Sequence, residues 1–268
     1  MYNNKVAIVT GGASGIGREM CLYLAQRGST LIIVDINQEK AEEVAAVAKS
    51  LGVPCEAKRV DVTSCSDVDK LVAGVKQDFG RIDLMINNAG IGLDGEFKDM
   101  TLAHWKRVID INLWGVIYGT HFVYPMMIKQ GFGQIVNVSS VAGLATGGLM
   151  TSYTASKHAV VGLTLGLRAE AYQYGVKVNV LCPGFIETPL HDSTLKVSEY
   201  LLWEKNQRDK TRFPTAKDCI KPMMRGIEKN RAIIVAPKSQ KIYWWVYRLF
   251  PSLIPFFWKR IIKKMKEV

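Results

Sequence analysis

The chain has 268 residues, 48% of them hydrophobic and 22% charged, enough apolar material for one large core and too much for a disordered chain. Its formal net charge of +11 is uneven: the last 31 residues carry +7 and the preceding 237 only +4, so the body lacks the basic surface that nucleic acid binding needs. Cys21, Cys55, Cys65, Cys182 and Cys219 are scattered without CxxC spacing, which points away from disulfides and zinc and toward free thiols in a reducing, cytoplasmic compartment.

In chain order, Val6–Thr10 reads as a strand running into a glycine turn, which leaves no room for a signal peptide. Further short β-branched runs predict strands at 30–35, 55–59, 84–87, 134–139, 177–182 and 233–236. Amphipathic stretches between them predict helices at 15–27, 38–50, 66–79, 103–128, 153–174 and 216–229. Continuous apolar strands separated by helices imply a parallel sheet covered on both faces. Right-handed crossovers make it a doubly wound α/β sheet of the Rossmann type, with ligands at the carboxyl ends of its strands. No internal repeat or low-complexity linker interrupts the chain, so residues 1–237 are expected to form one catalytic domain and 238–268 an amphipathic tail.

The first turn carries chemistry. In Thr10-Gly11-Gly12-Ala13-Ser14-Gly15-Ile16-Gly17, glycines permit a tight turn, a close approach of backbone to a pyrophosphate, and a helix that starts against the sheet. Asp35 ends the next strand 18 residues beyond Gly17, near the spacing expected of a carboxylate that binds ribose hydroxyls. Its charge repels a 2′-phosphate, and Ile36 and Asn37 supply no cation, so NAD(H) is expected over NADP(H). Tyr153 and Lys157 lie four apart on a predicted helix and project from one face. A free tyrosine, with a pKa of about 10, is a poor base, but a neighbouring ammonium favours its phenolate. Ser139 and Ser140 both bring a hydroxyl to the end of the strand at 134–139, and either could stabilise charge on a substrate oxygen. Asn112 stands out in an apolar helix, where its amide could simply be satisfied by backbone.

The spacing of Gly11, Gly15 and Gly17 resembles that of the short-chain dehydrogenase/reductase family. So do Asp61-Val62, Asn87-Asn88-Ala89-Gly90, Asn112, Ser139-Ser140, Tyr153-x-x-x-Lys157 and Pro183-Gly184-x-x-x-Thr188, in family order over roughly residues 4 to 190. The resemblance implies an NAD(H)-dependent oxidoreductase acting on a CH–OH group. It assigns Gly11, Ser14, Gly15, Ile16 and Gly17 to the pyrophosphate turn, and Asp61 and Val62 to the adenine. It puts Asn88, Ala89 and Gly90 on the adenine-ribose side, and Pro183, Gly184, Ile186 and Thr188 around the nicotinamide. Tyr153 becomes the general acid/base, Lys157 the partner that tunes it and binds ribose, and Ser140, ahead of Ser139, the substrate hydrogen-bond donor. Asn112 is expected to hold a water joining Lys157 to solvent. His158 is expected to be structural, His191 to stand near substrate, and no His or acidic cluster has metal-ligand spacing.

Substrate is expected to be met by residues 190–214, whose Leu195, Tyr200, Leu201, Leu202 and Trp203 could form an apolar lid. The uncharged stretch from Gly143 to Met150 favours a hydrophobic secondary alcohol or ketone of steroid, retinoid or lipid type. In the tail, the longest uncharged run is about ten residues with two prolines, short of the roughly 20 a membrane span needs. Its aromatics and lysines suggest a peripheral anchor on anionic lipid, with a tail folded over the body or a second subunit as the alternative. Every proposed catalytic residue precedes Pro189, so chemistry is expected to survive loss of the tail. A homodimer through the helices at 103–128 and 153–174 is expected. Two rival functions remain open: a 3-oxoacyl reductase, whose family members usually use NADP(H) and end soon after the last strand, and a silent dinucleotide-sensing scaffold.

Overall fold

The computed structural model describes residues 2–190, 194–198 and 213–266. Seven parallel strands form one sheet, in the order β3 (Cys55–Arg59), β2 (Thr30–Asp35), β1 (Val6–Thr10), β4 (Leu84–Asn87), β6 (Gly133–Val138), β7 (Val176–Pro183) and β9 (Ile233–Ala236). Alternation along the central strands divides the core. Ala7 and Val9 of β1 and Leu31 and Ile33 of β2 enter one layer. Val6, Ile8, Ile32 and Val34 enter the other. The first layer is closed by α1 (Gly15–Ala25), α2 (Gln38–Ser50) and α7 (Ala216–Glu228). The second is closed by α3 (Cys65–Phe79), α5 (Gly115–Gln130) and the end of α6 (Thr151–Ala171). This is the doubly wound Rossmann-type α/β sheet read from the sequence. Strand order reverses between β1 and β4, and there the crevice opens at the carboxyl ends.

Three features depart from the sequence expectation. The helix expected over 103–128 is α4 (Leu102–Ile109) and α5 joined by a π turn over Asp110–Trp114, in which the Gly115 N–H bonds the Asp110 carbonyl five residues back. Two short strands, β5 (Leu93–Asp94) and β8 (Leu195–Lys196), pair in parallel beside the main sheet and tie the segment after β4 to the substrate segment. The tail forms two helices, α8 (Gln240–Leu249) and α9 (Leu253–Lys266).

Those tail helices lie on the body. Tyr243 and Trp244 pack against the buried cluster of Val116, Val141, Val160, Val180 and Val235. The Tyr243 hydroxyl donates to the Thr146 carbonyl at 2.9 Å. Gly147 and Gly148 leave room for the Trp258 ring, which would stand 3.3 and 3.0 Å from a Cβ at those positions. Lys266 pairs with Glu96 at 2.5 Å, fixing the end of α9 beside β5. Among the described residues, no helix is long and apolar enough to cross a membrane.

Candidate active site

One cavity of about 870 Å³ runs from the β1–α1 turn to the tail helices. At its nucleotide end the turn is held by hydrogen bonds that leave little freedom. The Thr10 hydroxyl accepts from the Asn88 and Ala89 N–H groups at 3.0 and 3.1 Å, and the Asn88 amide donates to the Thr10 and Gly11 carbonyls at 3.0 Å each. The chain therefore reaches α1 already fixed to β4. Gly11 and Gly15 have φ of 64° and 51°, the left-handed region that glycine tolerates. Gly17 does not line the cavity. A Cβ there would fall on the Gly11 carbonyl oxygen, so this glycine serves close packing.

Ser14 caps α1 without spending its hydroxyl on the helix, and the first turn holds no acidic residue. The first-turn N–H groups and the positive end of the helix therefore face an anion site. Asp35 lines the same end, its carboxylate accepting from the Ala13 and Asn37 N–H groups at 3.1 and 3.0 Å. Asp61, Val62, Ala89 and Gly90 line the same cavity, as do Pro183, Gly184, Ile186 and Thr188, the last packed beside Gly15 of the β1–α1 turn. A helix start with no side-chain cap bond, a glycine cradle and a carboxylate on the same wall have the chemistry to hold a dinucleotide. The sequence reading stopped at Asn37 and missed Lys40, which also lines this end from the first turn of α2.

At mid-cavity the catalytic candidates converge. Tyr153 and Lys157 lie on one face of α6, with the Lys157 Nζ 5.6 Å from the Tyr153 ring centroid. Lys157 is buried and donates to the Val138 carbonyl at 3.1 Å. Burial lowers its pKa to about 8, and Cys182, on β7, works weakly the other way. Burial pushes the Tyr153 phenol up to about 12, a hydrogen bond with Ser140 opposes this, and the Asp94 charge adds to it. The free protein thus holds Tyr153 protonated, whereas the sequence suggested a phenolate favoured by Lys157. Desolvation outweighs the Ser140 hydrogen bond here.

The two serines separate cleanly. The Ser139 hydroxyl is consumed by the Lys157 carbonyl at 2.7 Å, while Ser140 bonds Tyr153, accepts from the Ala142 N–H at 3.1 Å and makes only a long contact of 3.4 Å to the Pro183 carbonyl. Asn112 is fully buried and outside the cavity lining. Its amide accepts from the Ile91 N–H at 2.8 Å and donates to the Ile91 carbonyl at 2.9 Å and the Ser156 hydroxyl at 3.2 Å. Across Gly90 it approaches Lys157: a Cβ on that glycine would meet Asn112 Oδ1 at 3.1 Å and Lys157 Nζ at 3.4 Å. His158 bonds the Thr154 carbonyl of its own helix at 2.9 Å.

The substrate end is walled by Met150, Gln240, Tyr243, Phe257, Trp258 and Ile261. Five of these six come from the tail, which therefore cannot be treated as remote from the chemistry. Asp94, buried on β5, is a charged group at this cavity that the sequence reading also missed. Its only signal was position, seven residues after Asn87. His191 and the expected lid residues Tyr200, Leu201, Leu202 and Trp203 lie outside the described residues.

A doubly wound sheet with a glycine-cradled anion site beside a Ser–Tyr–Lys group defines a dinucleotide-dependent oxidoreductase. A sequence profile described as short chain dehydrogenase matches residues 5–198, and the chain belongs to that family, whose members act on CH–OH groups. It is 38% identical over 190 residues to a cyclohexanol dehydrogenase of Acinetobacter sp. (strain SE19), covering 70% of this chain and 76% of that protein. It is 41% identical over 186 residues to the 3-oxoacyl-(acyl-carrier-protein) reductase FabG of Thermotoga maritima, covering 69% and 76%. Among solved structures, a short-chain dehydrogenase/reductase of Burkholderia phymatum in complex with NAD superposes with a TM-score of 0.85 at 28% identity, over 94% of this chain and 95% of that one. The profile match ends at residue 198, before α7, β9 and both tail helices.

Proposed function

We propose that this protein interconverts a lipophilic secondary alcohol and its ketone with NAD(H), using Tyr153 as proton donor and acceptor. The observation that carries the reading is the convergence of Ser140, Tyr153 and Lys157 on a cavity that is a dinucleotide cradle at one end and apolar at the other. When bound, the nicotinamide supplies the hydride in reduction and takes it up in oxidation. Tyr153 gives its proton to the carbonyl oxygen in reduction and removes the hydroxyl proton in oxidation. Ser140 donates a hydrogen bond to that same oxygen and offsets the charge gathering on it. Lys157, anchored on Val138, holds a positive charge behind the phenol and binds ribose hydroxyls, and a relay water at Asn112 would rest on an atom other than its amide nitrogen, whose two hydrogens Ile91 and Ser156 already take. Gly11, Ser14, Gly15 and Ile16 receive the pyrophosphate, with Gly17 as their packing support.

NAD(H) preference rests on the Asp35 carboxylate; of the cations nearby, Lys40 lines that end, while Arg59, beside Asp35 on β3, donates to the Ile36 carbonyl at 3.3 Å. The lipophilic substrate rests on Phe257, Trp258 and Ile261, and on the apolar cyclic alcohol named for the Acinetobacter relative. The Thermotoga relative supports 3-oxoacyl reduction as a second reading. Tyr153 and Lys157 brought together in the cavity favour an enzyme over a silent scaffold. Residues 1–237 serve as the catalytic body, with 238–268 completing its wall. Trp114, exposed and stacked on the half-buried Tyr118 of the α4–α5 segment, supports a homodimer there, and the free thiols support a cytoplasmic setting.

The test follows NADH fluorescence with cyclohexanone, longer aliphatic ketones and a 3-oxoacyl thioester, each repeated with Tyr153→Phe. Tyrosine-dependent oxidation of NADH by apolar ketones is expected. No turnover of any of them would overturn the reading, and turnover of the thioester alone would replace it with the second one.

A further inference from the structure

We propose that the outer face of α8 and α9 docks on an anionic lipid bilayer and that the cavity mouth opens against it, so that substrate passes directly between membrane and active site. The passage of substrate rests on the lipophilic reading above; the docking surface stands on its own geometry.

Helix α8 is apolar on two opposite sides. Tyr243 and Trp244 turn inward against the body and Tyr247, one turn beyond Tyr243, is half-buried, while Ile242, Trp245 and Leu249, spaced three and four apart, form an exposed stripe. Ile242 is 69% exposed and Leu249 64%. A helix with apolar residues on both sides is expected inside a core or at a boundary with lipid. The stripe continues through Phe250 and Leu253 at the turn between the helices to Phe256, all exposed. Eight of the eighteen large exposed hydrophobics among the described residues fall between Ile242 and Ile261. They form a concentration where single scattered side chains are the norm.

Charge selects the occupant. The last two turns of α9 present Lys259, Arg260, Lys263 and Lys264 at the surface, and the Arg260 guanidinium stacks 4.4 Å over the Phe256 ring. From residue 238 onward the chain holds eight cations and one acid. Aromatic and aliphatic side chains with cations one turn away match a bilayer's layers, apolar below and phosphate above. A second copy of so basic a face would repel it.

Phe257 and Ile261 supply the link to the cavity. Both line it, yet Phe257 is 53% exposed and Ile261 37%. They therefore stand at the rim, with one side toward the cavity and the other toward whatever covers the helices. Trp258, between them in sequence, seals the wall against Gly147 and Gly148.

Full-length protein is sedimented with phosphatidylcholine vesicles, with and without phosphatidylserine, at low and high salt. Two variants accompany it: Ile242→Gln with Leu249→Gln and Phe256→Gln, and Lys259→Gln with Lys264→Gln. None of these residues lines the cavity. Wild type is expected to pellet with acidic vesicles at low salt and to be released at high salt. Both variants should lose about tenfold or more in partition, consistent with a cation near the surface contributing roughly fivefold. Unchanged NADH binding shows that the variants are folded. Turnover of cyclohexanone should stay unchanged in both, while that of a long-chain ketone dissolved in the vesicles falls about tenfold. Wild type remaining in the supernatant, or binding neutral vesicles equally at all salts, would overturn docking. So would loss of dimer mass in the apolar variant without vesicle binding by the wild type, which would make a second copy the occupant. Docking without turnover of any ketone would overturn the proposed function and leave the surface standing.

Discussion

The nucleotide end of the cavity is made of backbone and glycine, held by Thr10 and Asn88 across two strands, whereas the substrate end is made of large side chains brought in by α8 and α9. At the first end a single carbon is too much: a Cβ on Gly17 would land on the Gly11 carbonyl oxygen, and one on Gly11 would come 2.9 Å from the Asn88 amide. At the second end the requirement is only an apolar wall of the right thickness, which Phe257, Trp258 and Ile261 provide and other bulky residues could replace. A site that binds a fixed molecule through backbone dictates its residue types. A site that excludes water from a variable one does not.

The largest test of this division lies between the two ends. Tyr153→Phe is expected to lower turnover about a thousandfold while changing NADH affinity only a few-fold, measured by initial rates and fluorescence titration. Lys157→Ala should weaken both, since its charge serves the phenol and the ribose. A Tyr153→Phe enzyme of near-normal rate would remove the proton-transfer role.

Next comes pH. Lys157 is charged below its lowered pKa of about 8 and neutral above it. The Tyr153 phenol, raised to about 12, keeps its proton throughout that range. Ketone reduction should therefore be flat up to pH 8 and fall by about tenfold per unit beyond it, as loss of one essential proton requires. A profile flat to pH 10 would show that the lysine charge is not used.

Smaller still is the change of cofactor. Asp35→Ala with Ile36→Arg should move the NADPH to NADH ratio of kcat/KM by about a hundredfold toward NADPH, because Lys40 already stands at that end to share the added phosphate. Wild type using NADPH as well as NADH would break the account of Asp35. Smallest is Trp258→Ala, expected to raise KM for cyclohexanone by roughly fivefold, a loss of about 1 kcal/mol of apolar contact, and to leave NADH affinity unchanged. An effect on NADH instead would mean that the two ends are not separate.

That same asymmetry decides how far the sequence could be read. The sheet, its strands and the glycine turn were legible because buried parallel strands need continuous apolar runs and the turn needs glycine at fixed places. Asp35, Ser140, Tyr153 and Lys157 fall where their spacing put them, on the lining of one cavity. Lys40 and Asp94 were not legible, since a lysine in a helix and an aspartate after a strand are ordinary until the fold turns them toward a ligand. The tail was legible as basic and aromatic, but its helices with apolar residues on two sides carry no single period that says which side faces the body. Its share in the cavity wall is what the sequence did not show, although every proposed catalytic residue still lies outside it.

One helix carries a different kind of dependence. Between α4 and α5 the chain holds a π turn, one residue more than a regular helical path would use, and Asn112 sits within it. Each residue in a helix advances the direction of the side chains by about 100°. Deleting one residue there would give a smoother helix by local preference and would cost the sheet nothing directly. It would also swing Asn112 away from Ile91, releasing the segment that leads from β4 to the substrate end. The irregularity works as a phase shift: it lets α4 pack Trp105 and Val108 on the cluster around β5 and α5 face the sheet core along one continuous helix.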